Sequence, residues 1–198
     1  MRTLVLYSSR TGNTEKVAQA IASALPAGTP CLPVGQAPAD LTAYDLVFLG
    51  YWVDRGTANA EARAVMEGLH NEHIALFATL GADPQSEHGK MCLEHGAALL
   101  PDPDAVIGTF LCQGAVDPKV IEMMYKQFPA GHPHGKSPAR DALHARAAVH
   151  PDEQVVFVVV RPRHLPRRVR PAEHAVRRQL PPRGWVDRVA ELLGACRR

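Results

Sequence analysis

Tyr7-Ser8-Ser9-Arg10-Thr11-Gly12-Asn13-Thr14 sits where a short apolar run, Thr3 to Tyr7, gives way to a helix-like segment, Glu15 to Leu25. A strand that stops in a Ser/Thr/Gly/Asn turn and restarts as a helix builds an anion site. Hydroxyls and unpaired backbone N–H groups converge there, and the helix dipole adds positive potential. A phosphate is the natural guest: Ser9, Thr11 and Thr14 each carry a hydroxyl donor, and Gly12 lets the backbone approach closely. No Lys follows the glycine, which excludes the nucleoside triphosphate P-loop. The same residue types also make an ordinary turn and helix cap, so the reading depends on what the rest of the chain adds.

Outward from this stretch, strand and helix signals alternate. Pro30 to Val34 reads as a short second strand, confined by Pro30 and Pro33 to a sheet edge. Asp45 to Tyr51 and His73 to Thr79 are almost continuous apolar runs, the pattern of parallel strands covered on both faces. The helical segment Ala58 to Leu69 separates them. A helix over Pro84 to Leu100 leads to a fifth strand, Ala105 to Cys112, and helical segments follow at Pro118 to Phe128 and Pro138 to Val149. Such alternation predicts right-handed crossovers and an α/β fold with a doubly wound parallel sheet.

Ser9, Arg10, Thr11, Gly12, Asn13 and Thr14 fall position by position on the phosphate loop of the flavodoxins, roughly T/S-x-T-G-x-T, and the chain resembles that family from about Thr3 to Glu153. Gly-Tyr-Trp-Val-Asp-Arg-Gly-Thr from Gly50, Thr-Leu-Gly-Ala from Thr79, Ser-Glu-His from Ser86 and Leu-Cys-Gln-Gly from Leu111 are similar to one flavodoxin-like subgroup. That subgroup adds C-terminal helices and a His-Pro-His turn, here His132 to His134. The resemblance implies a five-stranded sheet of order 2-1-3-4-5, with FMN held noncovalently at the switch point between strands 1 and 3; both are properties of the family rather than of the hydrophobic pattern. It also implies electron transfer with redox protein partners, a reductase donor and an acceptor enzyme.

The implied site residues are the phosphate loop, then Tyr51, Trp52, Val53, Asp54 and Gly56 after the third strand, and Thr79, Leu80, Gly81, Ala82 and Asp83 after the fourth. Trp52, or Tyr51, matches the aromatic that the family stacks on the flavin, and the backbone of the third loop meets the pyrimidine edge. An electron-rich ring in a site short of cations disfavours the negatively charged reduced flavin, so a lowered potential is expected. Many flavodoxins add a second stacking Tyr, but no aromatic lies between Leu80 and Ser86. That absence favours a flavodoxin-fold reductase or oxidase acting on a quinone or tetrapyrrole-type substrate. The absence of a credible acid–base pair near the loops favours an electron carrier, the reading adopted, in which no residue is assigned a catalytic role. A flavin-free interaction domain is the third reading, since a fold does not guarantee its cofactor.

The histidines raise a metal reading: His132, His134, His144 and His150 lie in one region, and His-x-His can place two imidazoles on one side of a segment. No carboxylate or Cys is spaced to complete a site, so a Pro-containing turn is preferred and no metal is assigned. Glu87 and His88 read as a first-turn charge pattern of a helix rather than as cofactor contacts. Cys31, Cys92, Cys112 and Cys196 include no C-x-x-C pair and read as free buried thiols rather than a zinc ribbon or redox centre. The N-terminus shows no secretory signal, and the longest apolar run, Val155 to Val160, is far below a membrane span. These features predict a soluble cytoplasmic protein.

Charge divides the chain. Residues 151–198 hold 11 Arg and no Lys against 5 acids, whereas residues 1–150 hold 11 basic and 15 acidic residues. An acidic domain suits the steering of basic redox partners. The Arg/Pro-rich tail reads as a nucleic-acid or membrane-surface arm, a partner-docking segment, or an unselected extension. Without interleaved aromatics or a binding module, nucleic acid is not expected. The expected division is a flavodoxin-like domain over 1–153 and a poorly ordered basic extension over 154–198, with a short amphipathic helix at Asp187 to Cys196. On this reading everything after Glu153 is dispensable for holding flavin.

Overall fold

The computed structural model describes residues 2–132, 134–149 and 157–160. Five parallel strands make the sheet: β1 (Thr3–Tyr7), β2 (Cys31–Pro33), β3 (Leu46–Asp54), β5 (Ile74–Leu80) and β6 (Val106–Gln113), in the spatial order β2-β1-β3-β5-β6. This is the expected 2-1-3-4-5 order once β4 (Thr57–Ala58), which folds back antiparallel onto the end of β3, is set aside. The prolines hold β2 to three residues at the edge, paired only with β1.

The apolar runs are buried on both faces. Leu4 to Leu6, Leu46 to Leu49 and Ile74 to Phe77 are at most 1% exposed. Side chains alternate along each strand, and the core divides accordingly. Leu4, Leu6, Val47, Leu49, Leu76 and Ala78 join Ala62 and Met66 of α2 (Ala60–Met66) and Leu93 of α3 (Glu87–Ala97). Val5, Phe48, Ala75, Phe77 and Phe110 join Val17, Ala18 and Ile21 of α1 (Asn13–Ala24) on the other face. The reversal of strand order falls between β1 and β3, where α1 and α2 pack on opposite faces of the sheet, the position at which open α/β sheets bind their ligands at the carboxyl edge.

Two features depart from the sequence reading. β3 continues three residues past Tyr51 and closes a hairpin through Arg55 (φ 50°) and Gly56 (φ 84°), two consecutive positive φ values of the kind a tight primed turn requires. The second concerns the C-terminus. Phe157–Val160 forms β7, antiparallel to β6, with Leu111 opposite Phe157 and Gly108 opposite Val160. The sheet thus runs past Glu153, because β6 would otherwise leave a row of unpaired backbone groups at an edge. α4 (Pro118–Gln127) and α5 (Pro138–Val149) precede it. His150, Trp185, Cys196 and the helix expected at Asp187 to Cys196 lie outside the described residues. Among the described residues no helix is long and apolar enough to cross a membrane.

Candidate functional site

The loop after β1 is held by hydrogen bonds that reach three other elements. Ser8 N–H donates to the Gly50 carbonyl (2.9 Å), its hydroxyl donates to Glu61 Oε2 (2.9 Å), and it accepts from Asn59 Nδ2 (2.8 Å). Asn13 Nδ2 donates to Thr11 Oγ1 (2.9 Å) and to the Ala115 carbonyl (3.0 Å) beyond β6. Thr14 and Thr79 share a buried hydroxyl bond of 2.9 Å, tying α1 to β5. Only one hydroxyl hydrogen is consumed in that pair, so a second remains to donate elsewhere.

What the loop leaves unsatisfied marks a candidate anion site. α1 starts from Gly12 (φ 85°) with no side-chain cap, whereas Ser86 caps α3 and Asp117 caps α4. A left-handed φ of that size is natural only to glycine. The Ser9 hydroxyl is shut off from solvent and has no hydrogen-bond partner. An orphaned buried hydroxyl beside an uncapped helix N-terminus is a donor set waiting for an anion. A phosphate fits it, and the spare Thr14/Thr79 hydrogen and the Thr11 hydroxyl lie on the same loop frame.

The two candidate aromatics sit in different surroundings. Tyr51 is wholly buried, its hydroxyl donating to the Cys92 carbonyl at 3.3 Å, and burial pushes its phenol pKa up. It is a core residue under α3. Trp52 is half-buried, lies opposite Thr79 in the β3–β5 register, and carries the Arg10 guanidinium over its ring, 5.6 Å from the centroid. The site is therefore not short of cations: Arg10 reaches it from the phosphate loop itself.

Val53 and Asp54 pair with Ala58 and Thr57 in the hairpin, and Gly56 O meets His95 Nδ1 at 3.1 Å, which pins the turn against α3. In the third loop, Asp83 is spent on structure: its carboxylate accepts from Gln85 N–H (2.9 Å) and its carbonyl from Ser86 Oγ (2.6 Å). Leu80 O accepts from Gly114 N–H at 2.8 Å, which ties this loop to the one after β6, and Val116 packs against Gly81. Asn59, Glu61 and the 114–116 segment were absent from the expected site. Their tie to Ser8 and Asn13 is visible only in three dimensions.

Glu87 pairs with Lys90 at 2.7 Å, one helical turn on, and His88 Nε2 lies 3.6 Å from Cys92 Sγ. The His-Pro-His turn stacks His132 on Phe128 (ring centroids 4.3 Å apart), and His132 Nδ1 accepts from His134 N–H (3.0 Å). His144 is instead buried on α5. Among the described residues no three His, Cys, Asp or Glu side chains are grouped to hold a metal ion. Cys31, Cys92 and Cys112 are free thiols, and burial pushes Cys112 up to about 12.

Comparison with known proteins agrees with this architecture. Residues 4–159 match the family described as flavodoxin domain. The chain is 35% identical over 162 residues to the flavodoxin-like domain-containing protein BilS of Clostridioides difficile (strain CD3), covering 79% of this chain and 91% of that protein. BilS of Clostridium symbiosum (strain WAL-14163) is 28% identical over 169 residues, covering 77% and 88%. A flavoprotein from Lactobacillus acidophilus NCFM, solved in complex with FMN, aligns with 53% of this chain and 87% of its own at 19% identity and a TM-score of 0.41. The family match extends past Glu153 into β7, as the sheet does. The chain belongs to the flavodoxin domain family, a family of FMN-binding electron-transfer proteins.

Proposed function

We propose that the protein holds FMN at the carboxyl edge of β1, β3 and β5 and carries electrons between a reductase donor and an acceptor enzyme in the cytoplasm. The observation that carries the reading is the Ser9 hydroxyl, buried without a partner at the uncapped N-terminus of α1. Ser9, Thr11, Thr14 and the backbone N–H groups from Gly12 onward would hold the phosphate. Trp52 would offer an apolar face to the ring, and the backbone of Leu80 to Asp83 would meet its polar edge. Bound FMN supplies reversible one- and two-electron chemistry.

The residues around the proposed site bind and orient rather than transfer protons. Asp83 is committed to its own turn, and His88 lies against Cys92. A carrier needs no acid–base pair, only an anchored cofactor and an accessible edge. One observation favours the second reading, direct reduction of a quinone or tetrapyrrole-type substrate: no aromatic lies between Leu80 and Ser86, in the loop where many flavodoxins carry a second stacking ring. The FMN-loaded protein, reduced stoichiometrically, separates the two. A carrier discharges to a one-electron protein acceptor such as cytochrome c and shows no saturable turnover of a small quinone. Saturable quinone turnover with slow discharge to the protein acceptor would establish the reductase instead.

A further inference from the structure

Arg10 belongs to the phosphate loop, yet its guanidinium leaves that loop and lies over the Trp52 ring, 5.6 Å from the centroid. The two residues stand on a common frame. Trp52 is in register with Thr79, and Thr79 bonds Thr14 at the other end of the same loop. Arg10 is exposed, and among the described residues no carboxylate is paired with it. Among those residues, then, no local partner neutralises its charge. A planar guanidinium suits such a seat, since it stacks on an indole face while keeping its N–H groups solvated; a lysine ammonium is a point charge without that fit.

We propose that Arg10, seated on Trp52, sets the redox potential of the bound flavin by favouring its reduced form, and so determines which donors and acceptors can exchange electrons with the protein. The inference rests on the FMN reading and adds to it. Reduction by two electrons from the donor, with uptake of one proton, adds one net negative charge at the ring. A fixed cation at the ring-stacking residue stabilises that charge and leaves the neutral oxidised ring almost unaffected. By linkage, any preference for the reduced form appears as a shift in potential. Because Arg10 is exposed, the shift should shrink as salt is added.

The test compares the full-length protein with Arg10→Ala and Arg10→Lys, measuring FMN affinity in the oxidised form and the two-electron potential at low and high salt. Arg10→Ala should weaken reduced FMN about tenfold more than oxidised FMN. For a two-electron couple that is a fall of about 30 mV. Arg10→Lys should recover part of it. In the apoprotein, with Trp185→Phe to isolate the signal, Arg10→Ala should expose Trp52 to acrylamide quenching. Equal weakening of both forms with an unchanged potential would make Arg10 a phosphate anchor and overturn the proposal. Unchanged quenching would overturn the seat on Trp52. Failure of the FMN reading itself would look different, since the unmodified protein would then bind FMN no better than riboflavin.

Discussion

The two sides of the proposed site are built differently. The proposed phosphate side is a dense network, in which Ser8, Asn13 and Thr14 each bond a segment distant in sequence, and the Ser9 hydroxyl, one Thr14/Thr79 hydrogen and the start of α1 are among the groups left to be satisfied. The ring side is sparse. Trp52 is covered by one exposed cation, and the third loop offers backbone and small side chains. On the proposed reading the difference divides the work: the rigid half would fix where the cofactor sits and supply most of the affinity, because preorganised donors lose little on binding. The open half, where the one exposed charge can be screened by salt, would govern potential and access.

The sharpest way to break this division is to strip the rigid half. Ser9→Ala with Thr14→Ala should weaken FMN by about 2–6 kcal/mol, taking about 1–3 kcal/mol for each lost charge-assisted bond. Riboflavin binding should hardly change, as isothermal titration of the apoprotein can show. The next largest effect concerns the scaffold beneath both halves. A chain ending at Val160 should hold FMN normally, whereas one ending at Glu153 loses the β6–β7 pairing. In urea the shorter chain should be less stable by roughly 2–4 kcal/mol, at about 1 kcal/mol per lost ladder bond. Equal stability of the two would return the domain boundary to Glu153.

A smaller change belongs to the open half. Trp52→Ala should cost about 0.5–1.5 kcal/mol of FMN affinity beyond the lost area. In a Trp185→Phe background, Trp52 fluorescence should be quenched by FMN. A Trp52 that stays bright in the loaded protein would remove it from the ring side.

The smallest effect lies away from the proposed site. His144 is buried with neither ring nitrogen hydrogen-bonded. Burial lowers its pKa, helped by Arg140 and opposed by Asp141 on its own helix, while Tyr125 of α4 faces it. A folded pKa below the ordinary 6.5 means that the unfolded chain takes up the proton first. Stability is present above about pH 6.5 and is lost as pH falls from there toward the folded pKa. His144→Leu should flatten that acid limb and leave stability at neutral pH unchanged or slightly raised. Stability that falls below pH 6.5 as steeply in the variant would assign the slope to other groups.

The fold was legible because its strands announce themselves. Thr3 to Tyr7 was placed to the residue, and the runs before Trp52 and Leu80 read as buried parallel strands, since both faces are covered and neither needs polar alternation. The strand–turn–helix junction at Ser8 to Thr14 was legible for a chemical reason: hydroxyls, Gly and Asn favour turns and helix starts. The burial of Tyr51 was within reach of a period-2 count, which groups it with Val47 and Leu49 on the α2/α3 face. The hairpin was harder, since Arg55 at positive φ is not a residue that marks a primed turn. The Arg10–Trp52 contact joins residues 42 positions apart, and no local pattern encodes it. β7 was hidden by its setting, a valine-rich run read as the start of an arginine-rich tail.

The central claim, that the loop from Ser9 to Thr14 exists to hold a terminal phosphate, is tested most directly by titrating the apoprotein with FMN and with riboflavin under identical salt. The two ligands share the ring and ribityl chain and differ in the phosphate alone. The account predicts that FMN binds at least about a hundredfold more tightly, about 2.7 kcal/mol, and that Ser9→Ala with Thr14→Ala closes most of that gap. Equal affinity of the unmodified protein for the two would contradict it and return the loop to an ordinary turn.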